Sequence, residues 1–466
     1  MRLFLHGRTA STTLQNRLNY ATTSNKFTSL LLSGWNGDDD EKQTVIRDLC
    51  SYISEQTSSF KEVTLVNCIG NLRQLVATIV KSTLHLTIRF DKEEQNTLPR
   101  SITDGLALAA ATSKTANRAS NSVRLQSLSL CGITLSQSTV KRLQHALFHY
   151  QIESLSFQGR FLLTELDKNS VSILGETSQD DTVFPVMDGL VRLISDMPDL
   201  KHLELENCHI ADAPLAQLLA VASLSCNKLS TLKLRGNICQ QKSTAILSHW
   251  LKQPDCPLLQ LDLSWQREPW EKYGHLMDLP MLAESLAHNT SLQILKLSDN
   301  QLIDSHVAWL AKALVQNTTL QHLELQNCRI DEMGALALAN HLPQYSLRYL
   351  DLNGNQQTRL GKSLLLVPLS KNVALEHLVL PRPSKRLEFL LEWNRVGRRV
   401  VLREDYETNG FPTSLWPRLL ERANHIGEEQ PKTEEVIRHQ ASTIYYLLRE
   451  TKGRIPLSNN RHSRQQ

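Results

Sequence analysis

The sequence predicts an α/β fold in which short strands alternate with helices along a stack of similar repeats. Aliphatic residues stand at positions 0, 3 and 5 of a segment that recurs along most of the chain, and copies begin about 27 to 29 residues apart unless an insertion intervenes. Asparagine or cysteine often stands at position 8, and apolar residues at helical spacing follow it. We call these positions slots, counted from the first aliphatic residue of each repeat.

Each repeat is predicted to begin with a strand. The clearest copies, LQILKLSDNQL, LQHLELQNCRI and LRYLDLNGNQQ, start at Leu292, Leu320 and Leu347. Similar or weaker copies start at Phe27, Phe60, Leu125, Ile152, Leu200, Leu229, Leu258 and Leu375, and a degenerate copy lies near Ile88. Because side chains alternate across a strand, slots 3 and 5 share one face, and we expect this face to be buried.

A helix is predicted after each strand. In the three clearest copies, leucines stand ten and fourteen residues after slot 8, a spacing that places them on one helix face. These leucines are Leu310, Leu314, Leu338, Leu342, Leu365 and Leu369. Residues 360–363, LGKS, look like the end of a phosphate-binding loop, but Gln356 stands where such a loop needs its first glycine. We therefore interpret Gly361 as part of a helix and predict no nucleotide site.

The pattern LxxLxLxx(N/C)xL followed by a helix resembles the leucine-rich repeat family, in particular its long-repeat class typified by ribonuclease inhibitor. The resemblance extends over residues 27–380. It implies a horseshoe-shaped solenoid with a parallel sheet on the concave side and helices on the convex side. Packing distances lead to the same expectation, because strands lie about 4.8 Å apart whereas helices need about 10 Å.

The slot 8 side chains are predicted to bond the backbone where each strand ends. This interpretation includes Cys68, Cys208 and Cys328, because one thiol per repeat does not bring together the partners that a catalytic or metal-bound cysteine needs. The sequence also lacks the GxSxG and HExxH motifs. No metal, cofactor or catalytic residue is therefore predicted.

Composition argues against several classes of protein. No apolar run approaches the ~18 residues of a membrane helix, and the eight cysteines are scattered without a CxxC pair or a preceding signal peptide. We therefore expect reduced thiols, no membrane insertion and a cytoplasmic location, with the nucleus left open. The sequons at Asn289 and Asn317 are then not expected to carry glycans. Residues 38–380 contain 31 basic and 36 acidic residues, which makes nucleic acid an unexpected partner.

Slots 2 and 4 alternate with the buried leucines and are expected to line the concave face. Slot 4 carries Glu204, Lys233, Asp262, Lys296, Glu324 and Asp351 in successive repeats. Opposite charges on neighbouring strands can pair, so this row either neutralises itself or also guides a partner, with Lys233, Lys296 and Glu324 as candidate contacts. Slot 2 of three successive repeats carries His322, Tyr349 and His377, a candidate partner-binding stripe or an ordinary polar and aromatic surface. The two histidines are two strand spacings apart, too far to share a metal easily.

An insertion lengthens the repeat that starts at Leu258 to 34 residues. It contains Trp265, Trp270 and Tyr273, with Pro269 and Gly274 marking a loop. Exposed aromatic residues on a rim loop are typical of interface anchors. The alternative is that they fold back as a local plug.

The two ends of the chain differ from the repeats. Residues 1–26 are basic and rich in serine and threonine, and we expect a disordered or targeting leader, with organelle import as one alternative. Residues 381–452 carry helical patterns and are predicted to form a C-terminal capping module, because a repeat stack needs its last core face covered. The basic cluster of Arg395, Arg398 and Arg399 in this module could instead contact an acidic partner or a phosphate. Residues 453–466 are predicted to be disordered.

These observations predict a non-enzymatic scaffold that binds another protein on the concave face and the aromatic rim. A rigid curved surface loses little conformational entropy on binding. The alternative is a GTPase-activating protein of the Ran GTPase-activator type, which has similar repeats. That family has a long acidic tail, whereas residues 381–466 here contain 16 basic and 11 acidic residues. The identity of the partner and the oligomeric state do not follow from the sequence.

Overall fold

The computed structural model describes residues 2–6, 28–36, 38–55, 60–91, 97–115, 125–159, 185–266, 278–302, 304–355, 359–381, 385–401, 418–419 and 421–422. The chain divides into two compact units, Met1–Leu282 and Ala283–Gln466. In each unit, parallel strands alternate with helices along the chain.

The first unit contains the longer series of repeats. Its strands are β1 (Arg2–His6), β2 (Ser29–Ser33), β3 (Glu62–Val66), β4 (His85–Arg89), β5 (Ser127–Cys131), β6 (Ser154–Gln158), β7 (His202–Glu206), β8 (Thr231–Lys233) and β9 (Gln260–Asp262). Its helices are α1 (Asp40–Glu55), α2 (Arg73–Val80), α3 (Arg100–Thr115), α4 (Gln137–Leu147), α5 (Pro185–Ser195), α6 (Asp212–Ser225) and α7 (Gln241–Leu251). Strands β1 to β9 pair in chain order, and every pair is parallel.

The second unit begins within helix α8 (Leu279–His288). Its strands are β10 (Ile294–Lys296), β11 (His322–Glu324), β12 (Tyr349–Asp351) and β13 (His377–Val379), which also pair in chain order and in parallel. Its helices are α9 (Asp304–Gln316), α10 (Glu332–His341), α11 (Arg359–Lys371), α12 (Lys385–Val396) and α13 (Arg398–Val401), with a 3-10 turn at Leu342–Gln344.

The predicted leucine positions form the core. Leu232 lies between Leu203 and Leu261 in the strand register of the first unit, and Leu295 lies beside Leu323 in the second. All five are fully buried, as are the six leucines predicted to share helix faces. The α/β leucine-rich repeat solenoid predicted from the sequence is therefore confirmed, including its weaker copies, which form β2 to β6.

The predicted start of the solenoid at residue 27 was too late. Arg2–His6 already forms β1, in which Leu3 pairs with Leu30 and Leu5 with Leu32, and both β1 leucines are buried. This strand escaped notice because the residues after RLFLH show no helical pattern, so no complete repeat is visible there. Residues 7–27 lie outside the described residues, and the leader remains a prediction for them.

The slot 8 residues bond backbone groups at the strand ends, as predicted. Cys208 Sγ donates to the carbonyl oxygens of Phe157 on the preceding strand, at 3.6 Å, and of Glu206, at 3.5 Å. Cys68 and Cys328 make equivalent pairs of bonds. Burial raises the pKa of the Cys328 thiol to about 12, so it stays protonated at neutral pH. These cysteines therefore serve the fold.

Slot 7 has a left-handed backbone, a feature that the sequence analysis missed. A positive φ occurs at Gly34, Asn67, Gly132, Gly159, Asn207, Gly236, Trp265, Asp299, Asn327 and Gly354. Glycine, asparagine and aspartate adopt this conformation at the least cost, and their recurrence one residue before slot 8 was the available signal. The turn after each strand therefore has a fixed geometry that aims the slot 8 side chain inward.

A second set of buried asparagines lies between helix ends and strand starts in the second unit. Asn317 is 4% exposed; its Nδ2 donates to the Leu286 and Asn289 carbonyls, and its Oδ1 accepts from the Thr319 and Leu320 amides. Asn289 is equally buried. Neither asparagine of the two sequons is therefore accessible in the folded chain.

The start of the C-terminal module is tied to the last repeats. Asn394 on α12 donates to the Asn372 and Leu375 carbonyls. Arg398 is 7% exposed; its guanidinium lies 4.5 Å from the ring centre of Trp393 and donates to backbone carbonyls that include Ser370. Arg398 therefore stabilises the fold and does not face a partner. Arg395 and Arg399 are exposed. The capping role stays a prediction, since most of the module lies outside the described residues.

Candidate functional site

The exposed face of the strands carries the candidate site. In β11 and β12 the central leucine is buried, whereas the slot 2 and slot 4 side chains on either side of it are half-buried. This alternation is the one expected of a sheet that is covered on one face only. The face therefore presents side chains that the strands hold in fixed positions.

His322, Tyr349 and His377 form a row on this face in the second unit, which we call the aromatic row. Strand register places them side by side at slot 2 of β11, β12 and β13. The rings of His322 and Tyr349 stack with centroids 4.0 Å apart and planes 3° apart. The next pair, Tyr349 and His377, lies at 6.1 Å with a 36° tilt. The structure thus brings the predicted stripe together, with close stacking at one end.

Glu324 anchors the stacked end of the aromatic row. Its Oε1 lies 2.8 Å from His322 Nε2 and 2.9 Å from Lys296 Nζ. A carboxylate only accepts hydrogen bonds, so Nε2 carries the proton and donates. The bond from His322 and the ion pair with Lys296 outweigh partial burial and lower the pKa of Glu324 to about 2. The row therefore rests on a carboxylate whose charge is already balanced.

We expect Glu324 to stabilise the fold in a pH-dependent way. Because its pKa is lowered from 4.5 to about 2, its contribution is complete above about pH 4.5 and is lost as the pH falls towards 2. The difference in unfolding free energy between wild type and Glu324→Gln should shrink over this interval. Urea unfolding across the pH range measures it, and Glu388→Gln, at an exposed site on α12, is the matched control. A difference that does not change with pH would contradict this role of Glu324.

The other two rings of the row are neutral at physiological pH. Burial, followed by the charges of Asp351 and Glu324, raises the pKa of Tyr349. Burial, followed by the charge of Arg395, lowers the pKa of His377. The middle and the end of the row therefore offer uncharged aromatic surface.

The first unit carries a charged cluster on β7 to β9. Lys233 Nζ pairs with Glu204 Oε1 at 2.5 Å, so this part of the predicted charge ladder pairs across strands, as Lys296 does with Glu324 in the second unit. Asp262 is only 8% exposed, and its Oδ1 accepts from the Ser264 amide. Burial and the nearby Glu204 raise the pKa of Glu206. The ladder thus largely neutralises itself, and its role toward a partner stays a prediction.

Trp265 occupies an unusual position at the edge of this cluster. Its φ of 57° places a bulky side chain in the left-handed region, which costs energy and occurs mainly at functional positions. Arg235 lies over its ring, with Cζ 5.6 Å from the centroid. Trp270 and Tyr273, the other two members of the predicted rim, lie outside the described residues, so their grouping with Trp265 stays a prediction.

The search for other kinds of site covered the described residues alone. Among them, no group of three or more His, Cys, Asp or Glu side chains is placed to hold a metal ion. Within the same part of the chain, no helix combines the length and apolar character needed to cross a bilayer.

Comparison with known proteins bears on the type of repeat. A family model described as Leucine Rich repeat matches residues 288–305 and 316–339. A search of curated proteins found no match. Among solved structures, one described as Leiomodin-1 Actin-Binding Site 2 (ABS2) aligns with 34% of this chain and 89% of that chain, at 19% identity and a TM-score of 0.29. The family match covers the strands that carry Lys296, His322 and Glu324.

Proposed function

We propose that this chain, which is a leucine-rich repeat protein, acts as a non-enzymatic scaffold that binds another protein on the exposed face of its strands. We assign it to the long-repeat, ribonuclease-inhibitor-like class, on the grounds of repeats of about 27 to 29 residues that each carry a helix. The aromatic row is the principal contact in this proposal. Lys233, Lys296, Glu324 and the rim residues Trp265, Trp270 and Tyr273 are secondary contacts.

The observation that carries the proposal is the stacking of His322 on Tyr349 above a neutralised ion pair. Aromatic side chains contribute much of the binding energy at protein interfaces. Here one ring is held by Glu324 and the other by the first ring, at 2.8 Å and 4.0 Å respectively. Little side-chain freedom remains to be lost on binding, which favours affinity. A self-neutralised charge pair also limits binding to wrong partners.

Capture with matched variants tests the scaffold function. The full chain serves as bait in the wild-type form, as Tyr349→Ala with His377→Ala, and as Trp309→Ala. Trp309 lies on α9 and is 51% exposed, so its removal takes away an aromatic surface of the helical side. We expect a partner protein to be captured by wild type and Trp309→Ala, and to be reduced at least about tenfold by the double variant. Quantitative mass spectrometry measures the capture, and titration of the purified partner measures the Kd.

Melting temperatures of the three forms show whether the variants are folded. If every captured protein is retained equally by the folded double variant, the aromatic row is not the binding surface. No described feature favours the GTPase-activating alternative, and a GTP hydrolysis assay with small GTPases addresses it directly.

A further inference from the structure

Four side chains on β12 and β13 form a compact group at the open end of the aromatic row, which we call the β12–β13 box. Tyr349 lies beside His377, and Asp351 lies beside Val379, in the register of the two strands. The box therefore combines two rings at slot 2 with one carboxylate and one aliphatic side chain at slot 4. His377 is exposed and the other three are half-buried, so a side chain of another molecule can reach them.

The rings of the box leave one aromatic surface open. His322 covers one face of Tyr349 at 4.0 Å and 3°. On the other side, His377 lies 6.1 Å away and is tilted by 36°, too far and too oblique for face-to-face stacking. Both rings are uncharged at neutral pH, because the pKa of Tyr349 is raised and that of His377 is lowered. The box thus offers a neutral ring surface to a planar group.

Asp351 is the carboxylate that the charge ladder leaves without a cation. Glu204 pairs with Lys233 and Glu324 with Lys296, but the neighbour of Asp351 on β13 is Val379. Among the described residues, no lysine or arginine nitrogen lies within 4.0 Å of Asp351. Its Oδ1 accepts from the Asn353 amide at 2.8 Å, and it also bonds the Tyr349 hydroxyl. Both of these partners are neutral, so the negative charge remains available to a ligand.

The charged groups around the box leave this conclusion intact. Glu324 is occupied by Lys296 and His322. Arg395 on α12 lies near enough to His377 to lower its pKa. Arg348 and Glu376 lie at the outer edge, 3.9 Å apart, and offset each other. The local field is therefore close to neutral except at Asp351.

A guanidinium group matches these features. It is a flat cation that stacks on aromatic rings, its parallel N–H groups bond a carboxylate, and its aliphatic stem packs on an apolar side chain such as Val379. A lysine ammonium has neither the plane nor the fork. From this arrangement we infer that the β12–β13 box binds an arginine side chain of the partner protein. The inference rests on the proposed scaffold function, since it names the chemistry of the partner.

Short peptides test this contact on the full chain. The probe is acetyl-Gly-Ser-Arg-Ser-Gly-amide, with counterparts that carry lysine or citrulline in place of arginine. Citrulline keeps the shape of arginine but has no charge. We expect the arginine peptide to bind at least about tenfold more tightly than the lysine peptide, and the citrulline peptide not to bind detectably. Nuclear magnetic resonance titration measures these weak affinities.

Two substitutions separate a direct contact from general electrostatics. Asp351→Asn removes the charge but keeps an oxygen for the Asn353 amide, and it should weaken the arginine peptide about tenfold. Glu376→Gln removes the same charge next to His377 in the chain and should change the affinity less than about twofold. Melting temperatures check the folding of both variants.

The outcomes distinguish this contact from the scaffold function. The arginine contact is refuted by equal affinity for the citrulline or lysine peptide, by unchanged affinity in Asp351→Asn, or by equal losses in both variants. The scaffold function survives those results if a captured partner still depends on Tyr349 and His377. Selective binding of the arginine peptide supports the contact even if no captured protein depends on the row.

Discussion

Replacing Asn355 with alanine is expected to lower the free energy of unfolding of the second unit by about 3 to 4 kcal/mol. Asn355 is 8% exposed, its Nδ2 donates to the Leu325 and Leu352 carbonyls, and its Oδ1 accepts from the Cys328 and Ile330 amides. Alanine leaves all four backbone groups without this partner. Each buried group that loses its hydrogen bond costs on the order of 1 kcal/mol, and water reaches the site poorly.

Asn353→Ala is the matched control in the same turn. Its backbone donates to Asp351 Oδ1 and accepts from Asn327, and these two bonds survive the substitution. Within the described chain the Asn353 side chain makes no hydrogen bond, so the change should cost less than about 0.5 kcal/mol. Urea unfolding measures both variants, and hydrogen exchange at the Cys328 and Ile330 amides locates the effect. Equal losses in the two variants would show that the slot 8 bonds do not stabilise the unit.

Replacing Gly132 with alanine is expected to destabilise the first unit by about 3 kcal/mol or more. Gly132 has a φ of +67°, and a Cβ atom there would lie 2.1 Å from the carbonyl oxygen of Phe90. That oxygen belongs to the backbone of the neighbouring repeat and cannot move without disturbing the turn. The residue also donates its amide to Gln158 at 2.7 Å, so the clash affects three successive repeats.

Gly34→Ala separates the backbone cost from the clash. Gly34 has the same φ of +67°, but its added Cβ would meet only the ring of His6, at 3.8 Å. This substitution should cost about 1 kcal/mol, the price of a left-handed alanine alone. Melting temperatures of the two variants give the difference. If Gly132→Ala is no more destabilising than Gly34→Ala, the close approach to Phe90 is relieved by a small shift.

Most of the repeat architecture could be predicted from the sequence. Leucines at slots 3 and 5 recur because each strand has one buried face, and Cys208 and Asn355 recur at slot 8 because each strand end needs the same bonds. The pairing of Lys233 with Glu204 also followed from slot numbers, since residues in the same slot of successive repeats become neighbours. Strand β1 was missed, because a single apolar segment without its helix does not reveal a repeat.

Less of the candidate site could be predicted. Slot numbers placed His322, Tyr349 and His377 in one row, but a 4.0 Å stack at one end and a 6.1 Å separation at the other are not properties of the pattern. Nor could the sequence show that Asp351 lacks a cation, because this depends on where the side chains of surrounding elements end. Trp265 was selected for its aromatic ring, whereas its left-handed backbone became visible only in the fold.

The sequence by itself determined that this protein is a stack of strand-and-helix repeats, which residues are buried, and which share a row on the exposed face. These properties depend on the alternation of side chains along a strand and on a repeat length, both of which can be counted along the chain. The tertiary structure decided which neighbours in a row touch, at what angle, and which charges remain unpaired. Such contacts join residues about 27 to 29 positions apart, and their geometry depends on how the helices and turns between them pack.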